Sequence, residues 1–239
     1  MSVSLVNGDE VTLEQFRQEW SKYASSHLLH TRLMEEDHSN VIYHYCSPAT
    51  LLAILQNKTL RYSDLTRLND AEERVWGREK VFLECLDRLR LGRGVPRDFP
   101  TVSSEYIGTL KDAWDQIDDR MRPFACCLSL DGDSLSQWRA YSNDGQGFAV
   151  GFRRTSFAAT PAQMLKVSYD LEQQISEMFG AIKDIIDLFT GSELVLENHG
   201  FQACMNWLVS RSTSLKNPAF RDEKKYDPFF PFTLRKSMT

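Results

Sequence analysis

The apolar residues of this chain recur at two spacings, and the places where one spacing gives way to the other mark its elements. Thr12-Leu13-Glu14-Gln15 has the form of a capping box, and Phe16, Trp20 and Tyr23 follow at helical spacing, so a helix is predicted over residues 12–25. Residues 41–46 alternate as a short strand, and Ser47-Pro48 starts a helix over 49–56 that should bury Leu51, Leu52, Ile54 and Leu55. A second short strand is predicted over 58–63, leading into a loop that ends at Asp70. Residues 71–90 place Val75, Phe82, Leu83, Leu86 and Leu89 on one side of a long helix that Gly77 weakens. The chain breaks over 92–100, and another helix is predicted over 103–119.

Phe124-Ala-Cys-Cys-Leu-Ser-Leu130 has the length and apolar continuity of a central strand. After a turn at Asp131-Gly132-Asp133, a short helix capped by Asp133 or Ser134 runs to Tyr141; strands follow over 147–152 and 163–169, then helices over 171–189 and 201–212. Pro228 and Pro231 interrupt the last apolar run, which reads as an edge strand or loose end because proline supplies no ladder donor. Helices and strands are mixed rather than strictly alternating. That order predicts an α+β fold, a single mixed domain over 1–239 with a small, largely antiparallel sheet flanked by helices. Within it, 12–38 reads as an N-terminal helical extension, 71–120 as a helical insert and 226–239 as an atypical C-terminal tail, truncated or frameshifted.

The 239 residues, 42% of them hydrophobic, suffice for one full core. A formal charge of −5 gives no general attraction to a phosphate backbone, and Arg88, Arg90, Arg93 and Arg97 read as a solvated helix end and loop. Cys46, Cys85, Cys126, Cys127 and Cys204 contain no C-x-x-C and read as free thiols in a reducing cytoplasm. The N-terminus lacks the pattern of a signal peptide and no apolar run approaches the ~20 residues that span a bilayer, so a cytoplasmic protein without a membrane partner is expected.

Three polar and aromatic segments interrupt the apolar pattern, and they carry the candidate chemistry. His44 projects to the face opposite Tyr43 and Tyr45 by the period of two, where an imidazole can hold a hydroxyl or act as a base; a core histidine bonded to the backbone fits the spacing equally well. Asn69, Asp70 and Glu73 stand at a helix start, where one of them serves as a cap and the others can face a ligand. Trp138 and Tyr141, beside the Gly145-Gln146-Gly147 turn, form either one wall of a pocket for a flat ring or ordinary packing. The G-x-G is followed by a strand, which fails the context of a dinucleotide fingerprint. His27, His30, Glu35, Asp37 and His38 match no metal-site spacing, so no metal is expected. The carboxylates Asp70, Glu72 and Glu73 keep a metal-dependent nuclease open as a third reading.

Taken together, Tyr43-His44-Tyr45-Cys46-Ser47, Leu60-Arg61-Tyr62-Ser63, Leu68-Asn69-Asp70 with Glu73, Cys127-Leu128-Ser129, and Ser136-Gln137-Trp138 with Tyr141, Gly147 and Gly151-Phe152 resemble the bacterial family named Domain of Unknown Function 2971, over residues 40–225. The strand carrying His44, the helix behind it and the second short strand are also similar to the opening of ADP-ribosyltransferase-like folds, including RNA 2′-phosphotransferases and DNA-modifying toxins. That resemblance implies NAD as a substrate and a toxin or phage-defence effector. It gives His44 the NAD ribose, Tyr62 or Tyr141 the nicotinamide ring, and Glu223 the orientation of the nucleophile. The family pattern F-x-x-E-x-E-W-R is met here by Phe220-Arg-Asp-Glu223-Lys-Lys225-Tyr-Asp227, with lysine where the second glutamate stands. That departure supports an alternative, a non-catalytic ligand-sensing or partner-binding module on the same scaffold, with a nucleotide or NAD as the expected ligand.

Overall fold

The computed structural model describes residues 2–4, 10–12, 41–65, 75–157, 163–189 and 199–223, and the backbone of 225–233. Strands β1 (Ser2–Ser4) and β2 (Glu10–Thr12) form a small antiparallel pair of their own. The main sheet takes β3 (Val41–Cys46), β4 (Ser63–Asp64), β5 (Met121–Ala125), β6 (Leu128–Ser129), β7 (Phe148–Arg153), β8 (Gln163–Lys166) and β9 (Lys225–Thr233), and every pairing in it is antiparallel. Helices α1 (Pro48–Asn57), α2 (Leu83–Leu91), α3 (Ser104–Asp118), α4 (Leu135–Tyr141), α5 (Leu171–Phe189) and α6 (His199–Ser212) complete an α+β architecture with a small antiparallel sheet, as the mixed order of elements predicts. No helix among the described residues is long and apolar enough to cross a membrane.

The main core lies among α2, α3, α5 and α6. In α5 the spacing of Ile175, Met178, Phe179, Ile182, Ile185, Ile186 and Phe189 lines one face, and all seven are buried. Each such aliphatic or aromatic side chain removed from water contributes about 1.5–3 kcal/mol. Phe82 stacks on Trp114 with ring centroids 4.0 Å apart. Met121 belongs to the same cluster and ties it to β5. The helix predicted over 71–90 is described from Val75 and opens with a π-helical turn at Gly77–Phe82. A Cβ at Gly77 would stand 2.5 Å from the Ser212 carbonyl oxygen, so this glycine lets the end of α6 close in. The arginines read as a solvated helix end do lie there: Arg88 pairs with Glu84 and Arg90 with Asp87, and Gly92 caps α2 in the left-handed region.

Helix α1 starts where its sequence says. The Ser47 hydroxyl accepts from the Thr50 N–H at 3.2 Å, Pro48 fills the first turn, and Lys58 closes the helix with a positive φ. Its leucines correct the expectation of burial. None of its residues is fully buried, and Leu52 and Leu55 are 55% and 64% exposed, because the helix rests chiefly against β7 rather than between two layers.

Two strand expectations are also corrected. The apolar run of 124–130 is split into β5 and β6 at Cys126-Cys127. The proline-bearing end is no sheet edge, since β9 lies between β5/β6 on one side and β8 on the other. Its prolines fit because Pro231 faces Pro123 beyond the stretch paired with β8, where no outward donor is needed, while Pro228 faces Met164 near the end of β8. The N-terminal helix predicted over 12–25, and the helical extension to 38, lie outside the described residues apart from Thr12 in β2.

Candidate functional site

The split between β5 and β6 organises the site. Along β9 the two strands share one register, with Ala125 opposite Phe229 and Leu128 opposite Tyr226. On the other side the same run is handed from one strand to another: β4 pairs Ser63 with Ala125, and β3 pairs Tyr43 with Ser129. β3 then continues alongside β7 as far as Cys46 opposite Phe148. The change of partner leaves a notch at Cys126-Cys127, and His44 reaches into it.

The His44 Nδ1 lies 3.2 Å from the Cys127 carbonyl oxygen. A carbonyl only accepts, so Nδ1 carries the hydrogen and Nε2 keeps its lone pair. Burial holds the imidazole below its ordinary value of 6.5, against the opposing pull of the Cys127 carbonyl, so the ring is neutral at pH 7. A neutral imidazole with Nδ1 committed offers Nε2 as an acceptor for a hydroxyl or N–H. The same geometry argues against a thiolate–imidazolium pair with Cys126, whose Sγ is 3.8 Å from that same Nδ1.

Because the folded-state value lies below the unfolded one, the unfolded chain takes up this proton first as pH falls. The His44 contribution to stability is therefore intact above 6.5, declines as pH drops through 6.5, and levels off below the folded-state value. Urea melts between pH 7.5 and 5 should show a shallower pH slope for His44→Gln than for the natural chain; an unchanged slope would mean that the imidazole titrates normally.

Tyr62 comes to the same face. It packs, half-buried, against the cluster of Ile42, Cys126, Leu128 and Phe157, and its phenol is raised first by burial and then by the Cys126 thiol. His44 and Tyr62 are thus brought together beside Cys126. Phe148, opposite Cys46 in β7, is 46% exposed at the rim.

The tyrosines flanking His44 do face the other way. Tyr43 lies over Gly132, where a Cβ would meet its ring at 2.7 Å, and against Gly151. The Tyr45 hydroxyl donates to the Asp131 carbonyl at 2.7 Å and accepts from the Ser134 N–H at 2.9 Å. Trp138 meets the Tyr45 ring edge-on at 5.0 Å and donates its indole N–H to Asp133 at 2.9 Å. That ring is a clamp between α4 and β3 on the face away from His44, and Tyr141 is 43% exposed near the end of α4. The structure does not bring Trp138 together with His44 and Tyr62.

Glu223 closes the 3-10 turn Pro218–Glu223, which packs against α4 and leads directly into β9. The register then sets Lys225 opposite Ser129, itself opposite Tyr43, so the turn arrives within two strands of β3. Asn69, Asp70 and Glu73 lie outside the described residues, as do His27, His30, Glu35, Asp37 and His38. Among the described residues no group of three or more histidine, cysteine or acidic side chains is placed to hold a metal ion. All five cysteines are free.

Gln137 differs from its neighbours in α4 in a way its sequence position did not single out. It is the single fully buried residue of α4, with its Nε2 enclosed and without a hydrogen-bond partner. The signal lay in a polar residue on the inward side of a short helix, overshadowed by the rings at 138 and 141.

No curated protein and no solved structure matches this chain. A family model does match, over residues 137–226, from Gln137 in α4 through α5 and α6 to the start of β9, so that His44 and Tyr62 lie N-terminal to the matched segment. That segment is similar to the family described as Protein of unknown function (DUF2971).

Proposed function

We propose that this chain binds NAD over the notch between β3 and β4 and transfers its ADP-ribosyl group, in the manner the remote resemblance implies. The observation that supports the reading is the His44 imidazole, neutral and pinned through Nδ1 to the Cys127 carbonyl, with Tyr62 on the same face. In this reading Nε2 accepts a ribose hydroxyl, the Tyr62 ring stacks on nicotinamide and Glu223 orients the nucleophile. The bond between the ribose C1′ and the nicotinamide nitrogen breaks, nicotinamide leaves neutral, the acceptor joins C1′, and its proton passes to the Glu223 carboxylate.

A second reading, a module that binds the same ligand without turning it over, is favoured by Lys225. It stands opposite Ser129, in the segment where the family pattern carries its second acid. A lysine there opposes the positive charge that develops on the ribose as the glycosidic bond breaks.

Calorimetry with NAD, paired with an assay for released nicotinamide, separates the two readings. Heat of binding with release, both lost in His44→Ala, is the result expected of the enzyme. Heat without release assigns the binding module, and no heat from the natural chain overturns NAD as the ligand.

A further inference from the structure

We infer that the β7 edge of the main sheet is an interface between two copies of this chain, paired antiparallel about a two-fold axis at Val150. The inference is independent of the NAD reading and concerns a strand whose outer side the fold leaves open.

β7 ends the sheet in the order β4-β5-β9-β6-β3-β7, and among the described residues it pairs with β3 alone. Every second residue along it therefore turns its N–H and C=O away from β3, where another strand can take them. The other open strands of this sheet are blunted. β4 has two residues, one of them Asp64, and β8 has four and ends in the exposed Lys166. β7 has six, Phe148-Ala-Val-Gly-Phe-Arg153, with no proline and no charge before the last of them. Phe148 is exposed at its start, and α1, the helix that rests on β7, leaves Leu52 and Leu55 exposed as well. A long apolar edge without such protection is a template for a further strand.

The sequence of β7 fits a second β7. In an antiparallel pair the residues that turn toward the partner meet others that do the same, so a two-fold axis passes through a residue rather than between two. An axis at Val150 sets Val150 opposite itself and Phe148 of each copy opposite Phe152 of the other. By their register with Cys46, His44 and Ile42 these side chains share the face of His44, and aromatic and β-branched cross-strand pairs of this kind stabilise a sheet. On the opposite face Ala149 meets Gly151, two small residues. The charges agree with the same arrangement. Arg153 of one copy comes beside Gly147 of the other, at the end that carries the exposed Asp144. The two Arg153 side chains start about 20 Å apart at ~3.4 Å per residue, well beyond a Debye length of about 8 Å. An axis at Gly151 would instead set Phe148 opposite Arg154 and place glycine at the centre.

Sedimentation velocity of the natural chain, from micromolar to submillimolar concentration, should show a monomer giving way to a dimer and to nothing larger, since a two-fold interface closes on itself. Val150→Lys, which sets two ammonium groups opposite each other on the axis, and Phe148→Lys, which replaces an exposed ring, should each weaken association at least tenfold. A separate measurement does not depend on how those variants fold. Mildly oxidised Val150→Cys should yield a disulfide joining position 150 of both copies, identified by mass spectrometry, because facing Cα atoms in an antiparallel pair lie about 4.5–5.5 Å apart. A natural chain that stays monomeric throughout would overturn the inference, as would a dimer that both lysine variants leave unchanged. So would growth into open polymers, or oxidised dimers of Val150→Cys linked only through the natural cysteines.

Discussion

Gly147→Ala is expected to destabilise the folded chain by about 3 kcal/mol, read as a lower urea midpoint at an unchanged slope. The added Cβ would overlap the carbonyl oxygen of Cys46 and approach the Cα and carbonyl oxygen of Ser142 to 2.9 Å. All three are backbone atoms, so no side-chain rotation relieves the overlap. Nor can β7 simply slide away, because it is held to β3 over six register pairs from Val41–Arg153 to Cys46–Phe148. Relief must come from parting the two strands at the end that bears His44, so the variant should also bind NAD more weakly wherever it remains folded. Gly180→Ala is the matched control. Gly180 lies in the interior of α5 with nothing within 4 Å of an added Cβ, and there alanine should stabilise by about 0.5–1 kcal/mol through its helix propensity. If Gly147→Ala melted like the natural chain, the close contact between α4 and the end of β3 would not exist as described.

How much of this was legible beforehand depends on whether the cause was local. The alternation of Tyr43, His44 and Tyr45 sends the imidazole to one face and the phenols to the other, since a strand's period of two holds whatever lies next to it. Ser47-Pro48 likewise fixes the start of α1 through capping and proline geometry alone. What α1 would bury was not legible, because burial depends on a second layer and α1 rests on one strand.

The notch at Cys126-Cys127 was invisible for the same reason. Phe124 to Leu130 is one apolar run, and on its β9 side it is one register; the break arises because β3 and β4, brought from elsewhere in the chain, share the opposite side. β9 failed in the opposite direction. Its prolines argue locally against an interior strand, yet Pro123 facing Pro231 puts two residues without a donor on one rung, and only the pairing reveals this. In Ser136-Gln137-Trp138 the inward residue is Gln137, which a seven-residue helix is too short to reveal by its period, while the Trp138 ring bolts α4 to Tyr45.

The second large effect is expected at Gln174, which couples the helical core to the route by which Glu223 reaches the sheet. The residue is 0% exposed. Its Oε1 accepts from the Trp76 indole at 2.9 Å, and its Nε2 donates to the carbonyls of Ser168 at 2.6 Å and Lys216 at 2.8 Å. Ser168 in turn exchanges backbone bonds with the chain leaving α6, accepting from the Lys216 N–H at 3.0 Å and donating to Ser214 at 2.9 Å. One amide thus holds the residue that enters the Gly77–Phe82 turn ahead of α2, the start of α5 and the segment that leads into the Pro218–Glu223 turn. Gln174→Leu keeps the bulk but leaves an indole N–H and two carbonyl bonds unmade inside the core. At about 1–3 kcal/mol for each group left unsatisfied, discounted for relaxation of the two carbonyls toward other donors, the loss should come to about 3–5 kcal/mol. Gln174→Glu offers a sharper test, because it keeps the acceptor for Trp76 and removes both donations. A carboxylate there faces the Ser168 and Lys216 carbonyls without a counter-charge, so the variant's denaturant midpoint should lie at or below that of the leucine variant at pH 7 and recover as the pH is lowered and the carboxyl takes up a proton. A leucine variant as stable as the natural chain would show that the turn carrying Glu223 is held by other contacts, and the path from α6 to the candidate site would then be anchored elsewhere than at this glutamine.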